Sequence, residues 1–265
     1  METKKKLRQK VLSLRNSLSE GQRDKAHRQI AARVYGTEAY QQAQAILTYV
    51  NYQSEVATKE MIEQAIADGK LVFAPRVEDR EMEFYQIHTL DDLQSGYRDI
   101  LEPATEKAFF DWLSDYSDSN GRSLPQIMMW MPGAVFDRNH HRIGYGGGFY
   151  DRYLERIEKW IARHSVTANT DDLLITMALA YDCQIVENVP QEAHDRQPDF
   201  LITDYFVIGG VGAAFINAGV LTLICIGIMY ALDMNFDGHT VTSTCLMFGF
   251  SLFGKNLLNI WMILV

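Results

Sequence analysis

Apolar residues first recur at helical spacing. Leu7, Val11, Leu14 and Leu18 lie three or four apart, and Ser19 stands where a second, more polar helix would open, so residues 3–35 are expected to form two helices. The pattern then shortens. Residues 45–50, Ala-Ile-Leu-Thr-Tyr-Val, form a compact apolar run rich in β-branched and aromatic side chains, which predicts a strand. Thr58 is positioned to cap a helix over 59–67 that stops at Gly69, and 71–74 predict a second strand that Pro75 ends. Residues 82–87 alternate apolar and polar, as in a strand with one wet face, whereas 127–131 and 177–181 are continuous apolar runs suited to strands covered on both faces. Residues 148–163 predict an amphipathic helix. The order α-α-β-α-β-β-β-α-β argues for an α/β fold, a three-layer domain with a mostly parallel sheet over residues 1–204. Residues 105–124 and 164–173 are expected to be polar connections, and no internal repeat is visible.

Beyond Asp204 the composition changes. Residues 205–265 contain only Asp233, Asp237 and Lys255 as charged residues, and 205–232 contain none. That stretch exceeds the roughly 20 apolar residues that span a hydrocarbon layer as a helix, so 205–232 and 241–265 are candidate membrane spans and the tail is expected to associate with membrane. The domain is thus expected to be followed by one or two transmembrane-like helices.

Charge and cysteine usage narrow the function classes. The net charge of −9 disfavours nucleic acid as a partner. Cys183 is the only cysteine before residue 205, so neither a disulfide framework nor a thiolate metal site is expected. The start of the chain is charged and lacks an apolar core, unlike a secretory signal, and the N-terminal domain is expected to be cytoplasmic.

The densest chemical signal is the stretch 131–151, Met-Pro-Gly-Ala-Val-Phe-Asp-Arg-Asn-His-His-Arg-Ile-Gly-Tyr-Gly-Gly-Gly-Phe-Tyr-Asp. It joins a buried strand to a helix through Gly144, Gly146, Gly147 and Gly148. Glycines there let backbone amides approach a ligand, and the following helix N-terminus favours an anion such as phosphate. The spacing fits neither the dinucleotide fingerprint nor a Walker loop. Arg142 adds fixed positive charge, Tyr145, Phe149 and Tyr150 add flat surfaces for a ring, and Asp151 is an oxygen ligand suited to Mg²⁺. Cys183 is expected to pack in the core, and no histidine metal site is expected.

Several separated stretches make the chain resemble the 5-formyltetrahydrofolate cyclo-ligase family over 1–204. They are Lys-Lys-Lys-Leu-Arg at 4–8, Tyr-Val-Asn-Tyr-Gln-Ser-Glu-Val at 49–56, Phe-Ala-Pro-Arg at 73–76, Met-Glu-Phe-Tyr at 82–85, Glu102-Pro103, the block 132–153, Val189-Pro190, His194-Asp195 and Asp199. The resemblance implies an enzyme that uses ATP and Mg²⁺ to close the 5-formyl group of 5-formyltetrahydrofolate onto the nitrogen at position 10. The products would be 5,10-methenyltetrahydrofolate, ADP and phosphate, through phosphorylation of the formyl oxygen. It also implies site roles. Lys4, Lys5, Lys6, Leu7 and Arg8, with Arg142, Ile143, Gly144, Tyr145, Gly146, Gly147, Gly148, Phe149 and Tyr150, would bind ATP. Val50 and Glu55, with Tyr145, Gly146, Gly147, Gly148 and Phe149, would meet the folate. Arg142 and Tyr145 would be catalytic, and Asp151 and Asp195 would be linked to Mg²⁺. The family's loop often carries a basic residue near 145 or 147, where this chain has Tyr145 and Gly147. An alternative is a catalytically inactive nucleotide- or folate-binding domain joined to a membrane segment. The tail resembles part of an uncharacterised family of multi-spanning bacterial membrane proteins through Leu221-Thr-Leu-Ile224, Phe253-Gly-Lys-Asn256 and Asn259-Ile-Trp261. Such a tail would be an addition to a complete domain, by gene fusion, frameshift or assembly error.

Overall fold

The computed structural model describes residues 3–96, 99–119, 124–164, 173–192 and 195–209. Helix α1 (Lys4–Asn16) opens at Thr3, whose side chain accepts from the Lys6 amide, and buries Leu7 and Val11. At the next four-residue step the buried residue is Arg15, while Leu14 is 49% exposed, so the apolar stripe expected along this helix ends one turn early. Ser19 and Gln22 form a capping box that opens α2 (Glu20–Tyr35), as the sequence suggests. The short α3 (Glu38–Gln42) follows.

The chain then builds the central sheet. Strand β1 (Ala45–Leu47) leads through α4 (Lys59–Ala67) to β2 (Leu71–Glu78), which turns back as β3 (Glu81–Ile87). Asp79 and Arg80 make that turn at φ +46° and +69°. A small hairpin of β4 (Leu93–Ser95) and β5 (Leu101–Pro103) precedes α5 (Phe109–Ser119) and β6 (Ile127–Met131). Next come β7 (Val135–Asp137), β8 (Arg142–Ile143), α6 (Phe149–His164), β9 (Leu174–Leu179), β10 (Ile185–Val186), β11 (Phe200–Ile202) and β12 (Val207–Gly209). The seven-stranded sheet has the order β12-β11-β9-β6-β1-β2-β3. Its five inner strands are parallel, and β12 and β3 close the two edges antiparallel. Strands β10, β7 and β8 form a separate small sheet.

Side chains alternate across the sheet. Ala45, Leu47, Phe73, Met129 and Met131 point to one face, where Phe109, Trp112 and Leu113 of α5 and Tyr153, Leu154 and Ile157 of α6 cover them. Trp130, the next residue on β6, stacks on Tyr40 of α3, with ring centroids 6.5 Å apart. The mostly parallel α/β architecture expected from the element order is present.

Further details differ from expectation. Thr58 stands at the N-cap of α4 as expected, but its side chain makes no capping bond there; its hydroxyl donates to the Tyr49 carbonyl and accepts from the Asn51 amide, closing the loop after β1. Strand β2 does not stop at Pro75, because β1 pairs only with Leu71–Phe73 and leaves that side of the strand open, where a residue without an N–H fits. The connection expected over 105–124 contains α5, whose buried Phe109, Trp112 and Leu113 follow helical spacing between acidic residues. The candidate span 205–232 loses its first residues to β12, paired to β11, and the compact unit ends at Gly209. The remainder of that span and all of 241–265 lie outside the described residues; among the described residues no helix is long and apolar enough to cross a membrane.

Candidate active site

From β1 the chain moves to β2 on one side, whereas from β6 it moves to β9 on the other, so the winding direction reverses between β1 and β6. Ligands of open α/β sheets lodge outside the carboxyl ends of the strands at such a reversal. The loop 48–58 leaves β1 there, and Pro132 and the glycine loop follow β6. Beside them is a cleft of about 930 Å³, walled by Lys4 and Arg8 of α1, the glycine loop, the first turn of α6, and Glu192, Asp195 and Arg196.

The glycine loop owes its shape to residues without side chains. Gly146 and Gly148 have φ of +99° and +62°, and a Cβ on Gly147 would lie 2.6 Å from the Phe149 ring. Arg8 leans over this loop, its Nη1 3.8 Å from where a Gly146 Cβ would sit. Its buried Nε has no hydrogen-bond partner among the described residues, so it is a donor that a ligand entering the cleft could satisfy.

Two ion pairs face the same space. Arg142, on β8, has a side chain only 5% exposed and brings Nη2 to 2.6 Å from Asp151 Oδ1 in the first turn of α6. Its Nε also donates to the Arg196 carbonyl at 3.3 Å, while the Arg196 amide donates to Asp151 Oδ1. Lys4 Nζ lies 2.6 Å from Asp195 Oδ2 and 3.4 Å from Glu192 Oε1. Among the described residues, five cationic and four anionic side chains line the cleft, so together they present little net charge to a triphosphate. Hard carboxylate donors beside that space suit Mg²⁺, which binds through one or two carboxylates together with phosphates and water.

Next to the cleft, the loop 48–58 is held almost residue by residue. The Tyr49 hydroxyl donates to the Val56 carbonyl, and the Tyr181 hydroxyl, itself bonded to His27, donates to the Glu55 carbonyl. The Glu55 carboxylate accepts from the Tyr52 amide at 2.9 Å. Burial pushes the Glu55 carboxyl above its ordinary range, and hydrogen bonds from Tyr145 and Tyr52 and the charge of Arg15 oppose that rise only in part. The Tyr145 ring is 46% exposed. Its hydroxyl nevertheless points inward, where burial and the neighbouring Glu55 carboxylate raise its pKa, so it stays protonated.

The expected site residues therefore separate into groups. Lys4, Arg8, Arg142, Ile143, Gly144, Tyr145, Gly146, Gly147, Gly148, Phe149, Tyr150, Asp151 and Asp195 all line the cleft. Lys5 and Lys6 are exposed and do not line the cleft, and the Leu7 side chain belongs to the core with Val11, Ala134 and Val135. Val50 is buried and does not line the cleft, and Glu55 meets the glycine loop through the Tyr145 hydroxyl. Pro132, Arg152, Glu155, Glu192 and Arg196 also line the cleft and were not expected there, and Arg15, just behind the loop, was not expected either. Glu192 and Arg196 sit in a polar segment with no pattern to mark them, and Arg15 had a signal, its spacing from Lys4 and Arg8 along α1. Cys183 is half-buried with its thiol pKa raised by burial, which leaves it protonated and a poor nucleophile.

The 5-formyltetrahydrofolate cyclo-ligase family model matches residues 1–204, and a model described as a protein of unknown function (DUF1576) matches 190–265. Curated relatives include the 5-formyltetrahydrofolate cyclo-ligases of Mus musculus, 25% identical over 74% of this chain and 91% of that protein, and of Haemophilus influenzae, 26% identical over 74% and 95%. A probable enzyme of the same name from Schizosaccharomyces pombe is 26% identical over 69% of this chain and 85% of its own length. Among solved structures, the 5,10-methenyltetrahydrofolate synthetase of Aquifex aeolicus superposes with a TM-score of 0.61 at 24% identity, covering 78% of this chain and 92% of that one. The Mycoplasma pneumoniae synthetase gives 0.54 at 18% identity, covering 77% and 99%. These two likenesses bear on the fold.

Proposed function

The chain belongs to the 5-formyltetrahydrofolate cyclo-ligase family, and from that premise we propose that its cleft performs the ATP-dependent closure of 5-formyltetrahydrofolate to 5,10-methenyltetrahydrofolate. A formamide carbon is a weak electrophile. Transfer of the γ-phosphoryl group of ATP to the formyl oxygen makes that oxygen a leaving group, and the nitrogen at position 10 then attacks the formyl carbon. The C–O bond breaks, phosphate departs with the oxygen, the nitrogen gives up its proton, and ADP is left. No protein nucleophile is required. The observation that carries this reading is the meeting of Arg8, whose Nε is unsatisfied, the Arg142–Asp151 pair, the Lys4–Asp195 pair and the glycine loop in one cleft.

Each residue has a task within it. Arg8, Lys4 and the loop amides hold the phosphates, and Arg142 meets the charge that develops on the transferred group. Asp151 and Asp195 would hold Mg²⁺, which supplies neutralisation of phosphate charge when bound. Tyr145 and Phe149 offer faces for the folate ring, and Glu55 is assigned to accept from the pterin N–H donors. The single cysteine before residue 205 supports a reducing, cytoplasmic setting for this domain. Membrane attachment is supported by the sparse charge of 205–265 alone.

The direct test mixes the full chain with 5-formyltetrahydrofolate and MgATP and follows the methenyl chromophore. Product that forms only with ATP and stops on chelation of Mg²⁺ is expected; absence of product from folded protein would reject the reading. Glu55→Gln should weaken 5-formyltetrahydrofolate binding by about tenfold or more while leaving ATP binding close to wild type, because a charge-assisted acceptor is lost. Titration of each ligand separately checks it, and equal weakening of both would count against a contact role. The same variant should melt slightly higher at neutral pH. A carboxyl whose pKa is raised in the folded state favours folding at low pH and loses that contribution as pH rises through the raised value, so removing the ionised group relieves a cost.

A further inference from the structure

We propose that Arg15 is a positioning residue that fastens the glycine loop to the loop 48–58, so that one side of α1 sets both the nucleotide end and the pterin end of the site. The inference rests on the cyclo-ligase reading. At 100° per residue, Lys4, Arg8, Val11 and Arg15 fall within a sector of roughly 60° of the helix. Lys4 and Arg8 line the cleft and Val11 anchors the helix in the core. Arg15, the last member of the row, is 3% exposed. It reaches both loops at once: Nη1 donates to the Tyr145 hydroxyl at 2.7 Å and Nε donates to Ser54 Oγ at 3.0 Å. The Ser54 hydroxyl in turn donates to Asn16 Oδ1, tying the loop to the end of the same helix.

Two physical arguments favour a role in the reaction over one in stability. A buried guanidinium is costly unless well compensated, and the hydrogen bonds recorded for Arg15 go to neutral hydroxyls, which do not recover that cost as a carboxylate fork would. Tyr145 is also flanked by Gly144 and by Gly146, Gly147 and Gly148, residues that stiffen nothing, and its ring is half exposed. The hydroxyl held by Arg15 and Glu55 therefore tethers the start of this loop over the cleft, while Arg152 Nη1, donating to the Gly147 carbonyl at 2.8 Å, holds its end to α6. Glu55 is faced by Tyr49 and Tyr52 of its own loop, Tyr145 and Tyr150 on the glycine-loop side and Tyr181 after β9, while Arg15 is the charged side chain whose field bears on it.

Steady-state kinetics of the full chain, with Arg15→Gln, Arg15→Lys and Tyr145→Phe beside wild type, test this. Arg15→Gln should raise KM for 5-formyltetrahydrofolate by about tenfold and lower kcat, the effect of losing charge-assisted bonds that order the site. The acid limb of the folate KM profile should also move to higher pH, because the Glu55 carboxyl loses its neighbouring cation. Arg15→Lys should keep that limb near the wild-type position while still losing rate, since an ammonium cannot bond both loops in one plane. Adding Tyr145→Phe to Arg15→Lys should cost little more than either change alone. A folded Arg15→Gln protein with wild-type KM and pH limb would overturn the positioning role. Equal losses in the Gln and Lys variants with an unmoved limb would overturn it too, as the mark of mere support. If Arg15→Gln does not fold, the Lys variant and its pairing with Tyr145→Phe decide. Wild type that makes no methenyl product overturns the ligase reading and this role together, whereas active wild type with unaffected variants overturns the role alone.

Discussion

Replacing Arg142 with alanine is expected to lower turnover by at least about a hundredfold, the scale on which enzymes lose rate when one preorganised charge-stabilising group is removed. Its guanidinium is fixed before substrate arrives, 5% exposed, paired with Asp151 at 2.6 Å and bonded to the Arg196 carbonyl at 3.3 Å. Such a group needs no reorganisation as charge builds on a transferred phosphoryl. The fold should survive the change, because Asp151 is 25% exposed and keeps the Arg196 amide as a donor, so the carboxylate left behind is partly hydrated. Arg142→Lys should recover part of the loss and not all of it, since a point charge cannot bond Asp151 and the Arg196 carbonyl at the same time. Turnover of the folded alanine variant within about threefold of wild type, far short of the hundredfold scale, would take Arg142 out of the chemistry.

Much of this site is legible along the chain because its chemistry is local. Residues 142–151 hold the strand, glycine loop and helix start in unbroken succession, so the Arg142–Asp151 pair needs only a turn between β8 and α6 to form. The alternation of Met82 and Phe84 with Glu81, Glu83 and Tyr85 likewise gave β3 its one buried face. What stayed hidden depends on partners far away in sequence. Arg15 reads as a surface charge at the end of a helix until Ser54 and Tyr145 are brought to it. Strands β7 and β8 are too short to show a period, and they exist because each finds the other, with β10 pairing β7 from 185–186. Helix α5 was obscured by Asp111, Asp115 and Asp118, which occupy the outer positions between its buried aromatic residues.

The end of the domain carries the second large expectation. Cutting the chain after Gly209 should leave a folded, active protein, whereas cutting after Asp204 should cost about 2 kcal/mol or more, from lost backbone bonds and apolar burial. For a domain of this size that is a fall in Tm of roughly 4–8 °C. The shorter cut removes β12 from the sheet edge. With it go the Phe206 carbonyl that accepts from the Thr203 amide at 2.9 Å, the ring of Phe206 beneath Arg138, and Ile208, packed against Phe136, Ala178, Ala180 and Leu201. Gly209→Ala in the longer protein is an independent check, because at φ +101° a Cβ would lie 1.9 Å from the Asp199 carbonyl oxygen. Its cost should not exceed that of the shorter cut, since an edge strand can detach without unfolding the strands inside it. If the charge-poor residues 210–265 act as a membrane segment, the full chain should need detergent for recovery and the protein ending at Gly209 should not. Equal melting temperatures for the two truncations would mean that the domain ends at Asp204 and that β12 contributes nothing to it.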